Sequence, residues 1–390
     1  MSLEKRIKRH ITGRRQDFFA VTLPGFEGLC NDELAAVSET IAVTELVPGG
    51  VSFSGRISDL YLSGLHARTP VRLLMRLARA KATNFRQLER LAQNIAWDLY
   101  LPQGVLPEFQ ISAHQSRLYH SGAIAGHIEA GIAAPWSAMC FPPMRTKEQT
   151  LYVRLDRDTV TLSLDACGAP LFRRGLKPHA ARAPVRETTA AGILRWAGYR
   201  PEDHPQYKLL DPMCGSGTFS LEAALMAKAI PPGFLREFAF MQWPCFRPEQ
   251  WAHMKKTAGR RMRDFGTPVI RASDTDSRAI DALRDCIGRN RLDDAIALSH
   301  ADFFDLQPGS ASTGKGLIVL NPPYGKRLST QGDTQRQFKA IAAKLKADFK
   351  GWQAALLVPQ RELAAKLNLP LEPRRIQHGG LDLTLMTGRI

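Results

Sequence analysis

The sequence predicts an α/β protein: a C-terminal seven-stranded, mostly parallel sheet closed by an antiparallel hairpin, preceded by an α+β half. Three observations carry this. Beyond Pro184 short apolar runs alternate with helical periodicity, the pattern of strands joined by crossover helices. The run Leu317-Ile318-Val319-Leu320 is continuously aliphatic, as a strand buried on both faces must be, and Pro322 and Pro323 cut it because neither can continue a ladder. Leu209-Leu210-Asp211 passes directly into a turn holding Gly215 and Gly217 and then into a helix over 219–230, the form of a first crossover.

Composition narrows the function classes. With 390 residues, 44% hydrophobic and 23% charged, the chain can bury two or three domain cores and fits no disorder-dominated class. Lys plus Arg number 53 against 37 for Asp plus Glu, a net charge of +16 that makes nucleic acid the leading partner class. The six cysteines, Cys30, Cys140, Cys167, Cys214, Cys245 and Cys286, form no C-x-x-C pair, which argues against zinc, redox or disulfide frameworks and for a reducing cytoplasm. No apolar core of signal-peptide length follows the basic start and no run of about eighteen apolar residues occurs, so neither secretion nor membrane spanning is expected. No metal is expected, since His114, His120 and His127 lack ligand spacing with any Cys or carboxylate.

Residues 1–17 carry Lys5, Arg6, Lys8, Arg9, Arg14 and Arg15 against Glu4 and Asp17, and read as a flexible basic arm suited to phosphates. Residues 18–22 are a strand, Pro24-Gly25 a turn, 27–37 a helix by apolar spacing, and 41–46 and 51–53 strands around Pro48-Gly49-Gly50, together a βαββ piece. A helix over 57–65, a strand over 71–80 bearing Arg72, Arg76 and Arg79, and helical stretches at 85–92 and 95–99 follow. Residues 109–113 are a strand and 122–132 a helix, while 151–155 and 159–164 pair as a hairpin. Residues 172–179 form a basic, Gly/Pro-punctuated linker.

The second half holds a ligand constellation. Gly215 and Gly217 let backbone approach a ligand at the carboxyl end of a strand, where open α/β sheets bind. The spacing is neither the dinucleotide fingerprint, which needs glycine at Ser220, nor a P-loop, which needs Gly-Lys-Ser/Thr. Without a phosphate cradle, Asp211 suits a cationic ligand, and S-adenosylmethionine carries both a sulfonium and an ammonium. After an insert over 231–266, the strand 269–273 ends in Asp274-Thr275-Asp276, and an acid there is what ribose hydroxyls need. The insert's Phe238, Phe240, Trp243, Phe246 and Trp251 are expected to pack as a lid, with Lys255, Lys256, Arg260, Arg261 and Arg263 extending the basic surface. A helix over 278–289 and a strand over 295–299 lead to Asp302-Phe303, a carboxylate to accept from an adenine amino group and a ring to pack on it.

Asn321-Pro322-Pro323-Tyr324-Gly325 follows the strand 317–320. The lone pair of an aromatic exocyclic amine is delocalised into its ring, so methylating it needs acceptors that hold its N–H groups. The Asn321 oxygen and the Pro322 carbonyl, on a proline-fixed turn, suit that task, and Tyr324 offers a face to a base turned out of its helix. Lys326 and Arg327 flank the motif as candidate phosphate contacts. Taken alone, these residues also make an ordinary strand-ending turn. A helix over 336–349, a strand over 353–358, a helix over 362–367 and a hairpin of 374–377 with 381–386 close the sheet.

Asp211-Pro212-Met213-Cys214-Gly215-Ser216-Gly217-Thr218 together with Asn321-Pro322-Pro323-Tyr324-Gly325 resembles the Rossmann-like, S-adenosylmethionine-dependent amino-group methyltransferases. More narrowly the chain resembles the THUMP-domain RNA methyltransferases that modify guanine N2 in large-subunit ribosomal RNA, a family often labelled as N6-adenine DNA methylases. Phe18 to Glu27, Asp165-Ala166-Cys167-Gly168, Arg174-Gly175, Ala183 to Thr188 and Pro231-Pro232-Gly233-Phe234 share that similarity, so it covers nearly the whole chain from Phe18. The resemblance implies a ferredoxin-like piece over 18–59, a THUMP RNA-binding domain over 60–166, a linker over 167–182 and a Rossmann-like methyltransferase domain over 183–390. It implies that Asp211, Cys214, Gly215, Gly217 and Thr218 line the cofactor's amino-acid end, with Arg186, Glu187 and Thr188 closing over it. It assigns the ribose to Asp274, the adenine amine to Asp302 beside Phe303, and catalysis to Asn321, Pro322, Pro323 and Tyr324. The implied partner is ribosomal RNA or a pre-ribosomal particle. Some members continue into a second methyltransferase module where this chain ends at Ile390, so one activity is expected, and Gly379-Gly380 stands where the family has an Asn-Gly turn. Two other readings stay open: an N6-adenine DNA methyltransferase, since the motif serves any aromatic amine, and a non-catalytic RNA-binding assembly protein with a vestigial pocket.

Overall fold

The computed structural model describes residues 1–134, 144–177, 185–203, 207–307, 316–323, 331–378 and 381–390. The chain forms two compact units, one of Met1–Thr22, Cys30–Leu171 and Arg236–Lys256, the other of Leu23–Leu29, Phe172–Leu235 and Thr257–Ile390. Residues 178–182 of the expected linker, Cys140 and Gly379-Gly380 lie outside the described residues.

The first unit is built on strands β1 (Gln16–Val21), β2 (Ala42–Val47), β3 (Gly50–Gly55), β4 (Arg72–Lys81), β5 (Val105–His114), β6 (Met144–Asp156) and β7 (Thr159–Asp165), in the order β2-β3-β1-β4-β7-β6-β5. Alternation sets the faces. Phe18 and Ala20 of β1 are buried opposite Phe53, Val51, Met75 and Leu73, with the Phe18 and Phe53 rings 5.2 Å apart, while Asp17 and Phe19 point the other way. With helices Glu27–Val37 and Ile57–His66, β1 to β4 make a βαββαβ ferredoxin-like arrangement. That arrangement runs past residue 59, because the helix Ile57–His66 and β4 belong to it. The hairpin expected at 151–155 and 159–164 is present, with Leu151 opposite Leu164.

Two expectations for this unit are corrected. Residues 1–17 are not a loose arm: Ser2 caps a helix Leu3–Ile7, Ile11 is fully buried, Arg6 is paired with Asp98, and Arg15 donates to the Ser54 carbonyl at 2.7 Å. One buried isoleucine, an ion pair and a bond to backbone together fix a segment whose charge density suggested disorder. The insert is not a lid either. Phe238, Phe240 and Trp251 are buried in a cluster on Tyr61 of the helix Ile57–His66, with Tyr61 to Phe240 at 4.6 Å and Phe240 to Trp251 at 5.5 Å between ring centres. Gly64 on that helix leaves room for the cluster, since a Cβ there would sit 3.1 Å from the Phe238 ring. Trp243 Nε1 donates to Gln149 Oε1 at 2.9 Å, so residues 236–256 supply core to the first unit.

The second unit holds β8 (Leu209–Asp211), β9 (Ile270–Asp274), β10 (Ile296–His300), β11 (Leu317–Leu320), β12 (Gln353–Val358), β13 (Glu372–His378) and β14 (Leu381–Arg389). Their order is β10-β9-β8-β11-β12-β14-β13, parallel through β12, with β14 antiparallel to β12 and to β13. This is the predicted Rossmann-like sheet. Its aliphatic strands divide residue by residue between two cores: Leu209, Leu317 and Val319 join one with the helices Glu187–Trp196, Thr218–Ala227 and Ser277–Arg289. Leu210, Ile318 and Leu320 join the other with the helix Gln331–Asp348. Burial on both faces is why β8 and β11 carry no alternation. The strand order reverses at β8, so the carboxyl ends of β8 and β11 flank the crevice where such sheets bind ligands. Among the described residues no helix is long and apolar enough to cross a membrane.

Candidate active site

The loop after β8 is shaped by its hydrogen bonds. Gly217 N–H donates to the Cys214 carbonyl at 2.7 Å, Cys214 N–H to the Ser273 carbonyl at 3.0 Å, and Gly215 N–H to Asp274 Oδ2 at 2.7 Å, which ties the loop to the end of β9. Gly217 has φ +73° and any Cβ there would collide with Leu283, so both backbone and packing demand glycine. Gly215 has φ +51° but nothing within 4 Å of where its Cβ would be, leaving a backbone surface that a ligand can approach.

Asp211 ends β8 at 1% exposure. Its Oδ2 accepts from Ser220 N–H at 3.2 Å and from the Ser220 hydroxyl at 2.6 Å, while Oδ1 is buried without a partner among the described residues. Burial pushes the carboxyl up to about 7; the Ser220 bonds oppose that shift and the charge of Asp274 adds to it. An acceptor of this kind is completed by a cationic donor. On the helix Glu187–Trp196, Thr188 is equally buried with its Oγ1 unpaired among the described residues, and Glu187 has a carboxyl raised by burial against the lowering effect of Lys177. Arg186, at the N-cap of that helix, is exposed with its guanidinium 4.8 Å above the Phe172 ring. Cys214 is buried, and burial raises its thiol.

Asp274 places Oδ2 on Gly215 N–H and Oδ1 on Asp276 N–H, the latter at 3.0 Å; Asp276 caps the helix Ser277–Arg289. Asp302 accepts from Phe304 N–H at 2.9 Å. Phe303 departs from its expected use: it is 1% exposed, 6.1 Å from the Phe349 ring in the core, with Lys344 over it. Phe304, at 41%, is the accessible aromatic beside Asp302.

Asn321 follows β11, and its Oδ1 is a third buried oxygen without a partner among the described residues. Pro322 is buried and Pro323 half-buried; Tyr324, with Gly325, Lys326 and Arg327, lies outside the described residues. β11 pairs directly with β8, strands about 4.8 Å apart, so Asn321 and Asp211 end neighbouring strands.

The sequence reading missed three contributors. Ser220, whose bonds orient Asp211, lies in the first turn of the helix after the glycine loop, a hydroxyl-for-acid pairing legible in principle from the strand–turn–helix pattern. Glu222 on the same helix holds Arg174 in a buried pair at 2.9 Å, and Lys177 reaches the glycine loop; neither shows a spacing signal. Among the described residues no group of three His, Cys, Asp or Glu is arranged to hold a metal ion. The unpaired oxygens of Asp211, Thr188 and Asn321, with the open Gly215 backbone, fit a ligand that brings donors and a positive charge.

A family model described as the RMKL-like methyltransferase domain matches residues 174–382, and one described as the RlmL ferredoxin-like domain matches residues 17–74. A Synechocystis sp. protein provisionally named an RNA methyltransferase is 31% identical over 375 residues, covering 95% of each chain. A ribosomal RNA large subunit methyltransferase K/L of Syntrophotalea carbinolica is 31% identical over 385 residues, 95% of this chain and 53% of that one, so the chain spans about half the length of this relative. Among solved structures, a Listeria monocytogenes protein provisionally labelled an N6-adenine-specific DNA methylase superposes with TM-score 0.84 at 25% identity over 96% of both chains. A protein provisionally named a methyltransferase and solved with S-adenosylhomocysteine shares the fold at TM-score 0.84 and 23% identity, over 97% of this chain and 99% of that one.

Proposed function

The chain belongs to the RMKL-like methyltransferase family, and on that premise we propose that it transfers a methyl group from S-adenosylmethionine to the exocyclic N2 amine of a guanine in large-subunit ribosomal RNA. The observation that carries this reading is the set of buried oxygens, unpaired among the described residues, on Asp211 and Asn321 at the carboxyl ends of β8 and β11 and on Thr188 of the helix Glu187–Trp196. The cofactor supplies a methyl already activated on a sulfonium, so the protein's task is positioning.

Asp211 takes the cofactor's ammonium, whose charge draws the carboxyl back to its ionised form. Gly215, Gly217, Cys214 and Thr218 line the same end, with Arg186, Glu187 and Thr188 beside them. Asp274 faces the ribose and Asp302 the adenine amine, with Phe304 rather than Phe303 as the ring on offer. Asn321 Oδ1 and the Pro322 carbonyl accept the two N–H groups of the target amine. As the nitrogen gains a bond its N–H groups become more positive, so these acceptors bind the transition state more strongly than the ground state. Tyr324 is assigned the flipped base by its place in the motif. Relatives named as RNA methyltransferases and the net charge of +16 support RNA as the polymer, and the K/L relatives support the large ribosomal subunit.

The label carried by the Listeria structure favours N6-adenine methylation of DNA as the second reading. Methyl-labelled cofactor offered with ribosomal RNA and, separately, duplex DNA decides between them after digestion to nucleosides. Label in N2-methylguanosine supports the proposal; label only in N6-methyladenine from DNA overturns it.

A further inference from the structure

The cofactor's amino-acid end is a zwitterion, and Asp211 answers only its positive half. We infer that Lys177 is the positioning residue that holds the α-carboxylate, an inference that rests on the S-adenosylmethionine reading above. The Lys177 side chain is 16% exposed, with Nζ 3.3 Å from Thr218 Oγ1, 3.4 Å from Ser216 Oγ and 3.8 Å from Glu187 Oε1. All three contacts are long for an ammonium. Lys228 in the same unit shows what a satisfied one looks like, with Asp294 at 2.5 Å and Asp264 at 3.0 Å. Among the described residues the largely buried Lys177 ammonium therefore has only long contacts, beside a loop whose two hydroxyls can share the same anion.

The surroundings favour an anion there. Ser216 and Thr218 flank Gly217, the N-cap of the helix Thr218–Ala227, whose first turn is the positive end of the helix dipole, with the Ser220 N–H already donated to Asp211. Asp211 binds Ser220 and Lys177 reaches Thr218, so the proposed cation and anion partners both meet the first turn of one helix. The backbone that carries Lys177 is fixed in advance. Arg174 is held by Glu222, Gly175 has φ +88° with no room for a Cβ beside the Leu235 carbonyl, and the Leu176 carbonyl accepts from Asn290 Nδ2 at 3.1 Å. A cation held this way needs little ordering when the ligand arrives.

Calorimetric titration of Lys177→Met, Lys177→Arg and the unmutated protein with S-adenosylmethionine and with its decarboxylated form isolates the carboxylate. Removing a charge-assisted bond should weaken S-adenosylmethionine roughly ten- to hundredfold in Lys177→Met while leaving the decarboxylated ligand nearly unchanged, and Lys177→Arg should keep most of the difference between the two ligands. Equal losses for both ligands would assign Lys177 to holding the loop, and an unchanged affinity for S-adenosylmethionine would remove it from the site; either overturns the inference. Failure of the unmutated protein to bind either ligand would instead defeat the cofactor reading itself.

Discussion

If Asp211 receives the cofactor's ammonium as proposed, its environment makes cofactor affinity depend on pH. Its carboxyl is raised from 3.8 to about 7, chiefly by burial, so in the ligand-free protein roughly nine-tenths of it is ionised at pH 8 and one-tenth at pH 6. If the ionised form is what receives the cofactor's ammonium, affinity for S-adenosylhomocysteine should fall about tenfold from pH 8 to pH 6. Asp211→Asn keeps an acceptor for Ser220, binds far more weakly and should lose the pH dependence. The same shift acts on stability with a definite sign. A carboxyl raised in the folded state contributes stability that is present below its unfolded value and lost as pH rises through about 7, a swing of up to about 4 kcal/mol. The ligand-free Asp211→Asn protein should therefore melt higher than the unmutated protein at pH 8, with the margin shrinking toward pH 5. Calorimetric titration and thermal melts at several pH values measure both effects. A dissociation constant that stays flat from pH 6 to pH 8 would refute the reasoning.

Three further outcomes are expected. Asn321→Ala should bind S-adenosylhomocysteine as before and lose methyl transfer about a hundredfold or more, seen by pairing calorimetry with label incorporation. Gly215→Ala should cost about 1–2 kcal/mol for its left-handed backbone, whereas Gly217→Ala adds the collision with Leu283 and should cost a further ~1–3 kcal/mol, compared by denaturant unfolding. Arg174→Met removes the guanidinium from a buried ion pair with Glu222 and should destabilise by about 3–5 kcal/mol; adding Glu222→Leu should recover most of that, and a double variant no better than the single would contradict it.

The second unit was largely legible because its signals are local. Aliphatic runs buried on two faces, a glycine turn and a proline stop each announce themselves within a few residues, and they place Asp211, Asp274, Asp302 and Asn321 at strand ends. What escaped depends on distant partners. Nothing around Ile11 reveals that it is buried, and the aromatic insert does not declare that Tyr61, far earlier in the chain, is its neighbour. Phe303 and Phe304 are chemically identical and adjacent; the short turn after Asp302 has no period from which to read which ring faces the core. Lys177 reaches its loop from a stretch that reads only as a linker, so its charge looked like ordinary solvated lysine.

The aromatic insert also bears on the order of events during synthesis. Because Arg236–Lys256 belongs to the amino-terminal unit, that unit lacks Phe238, Phe240, Trp243 and Trp251 until residue 256 has left the ribosome, by which time β8 and the glycine loop have already emerged. The two units cannot mature one after the other like beads on a string. Nascent chains arrested shortly before residue 236 would hold Tyr61 without its ring partners, open to chaperones and proteases, and protection should arrive in a single late step. A gene cut in the stretch that resembles a linker would separate these rings from their core, so the halves are poor cassettes for recombination despite the clean break that the sequence suggests.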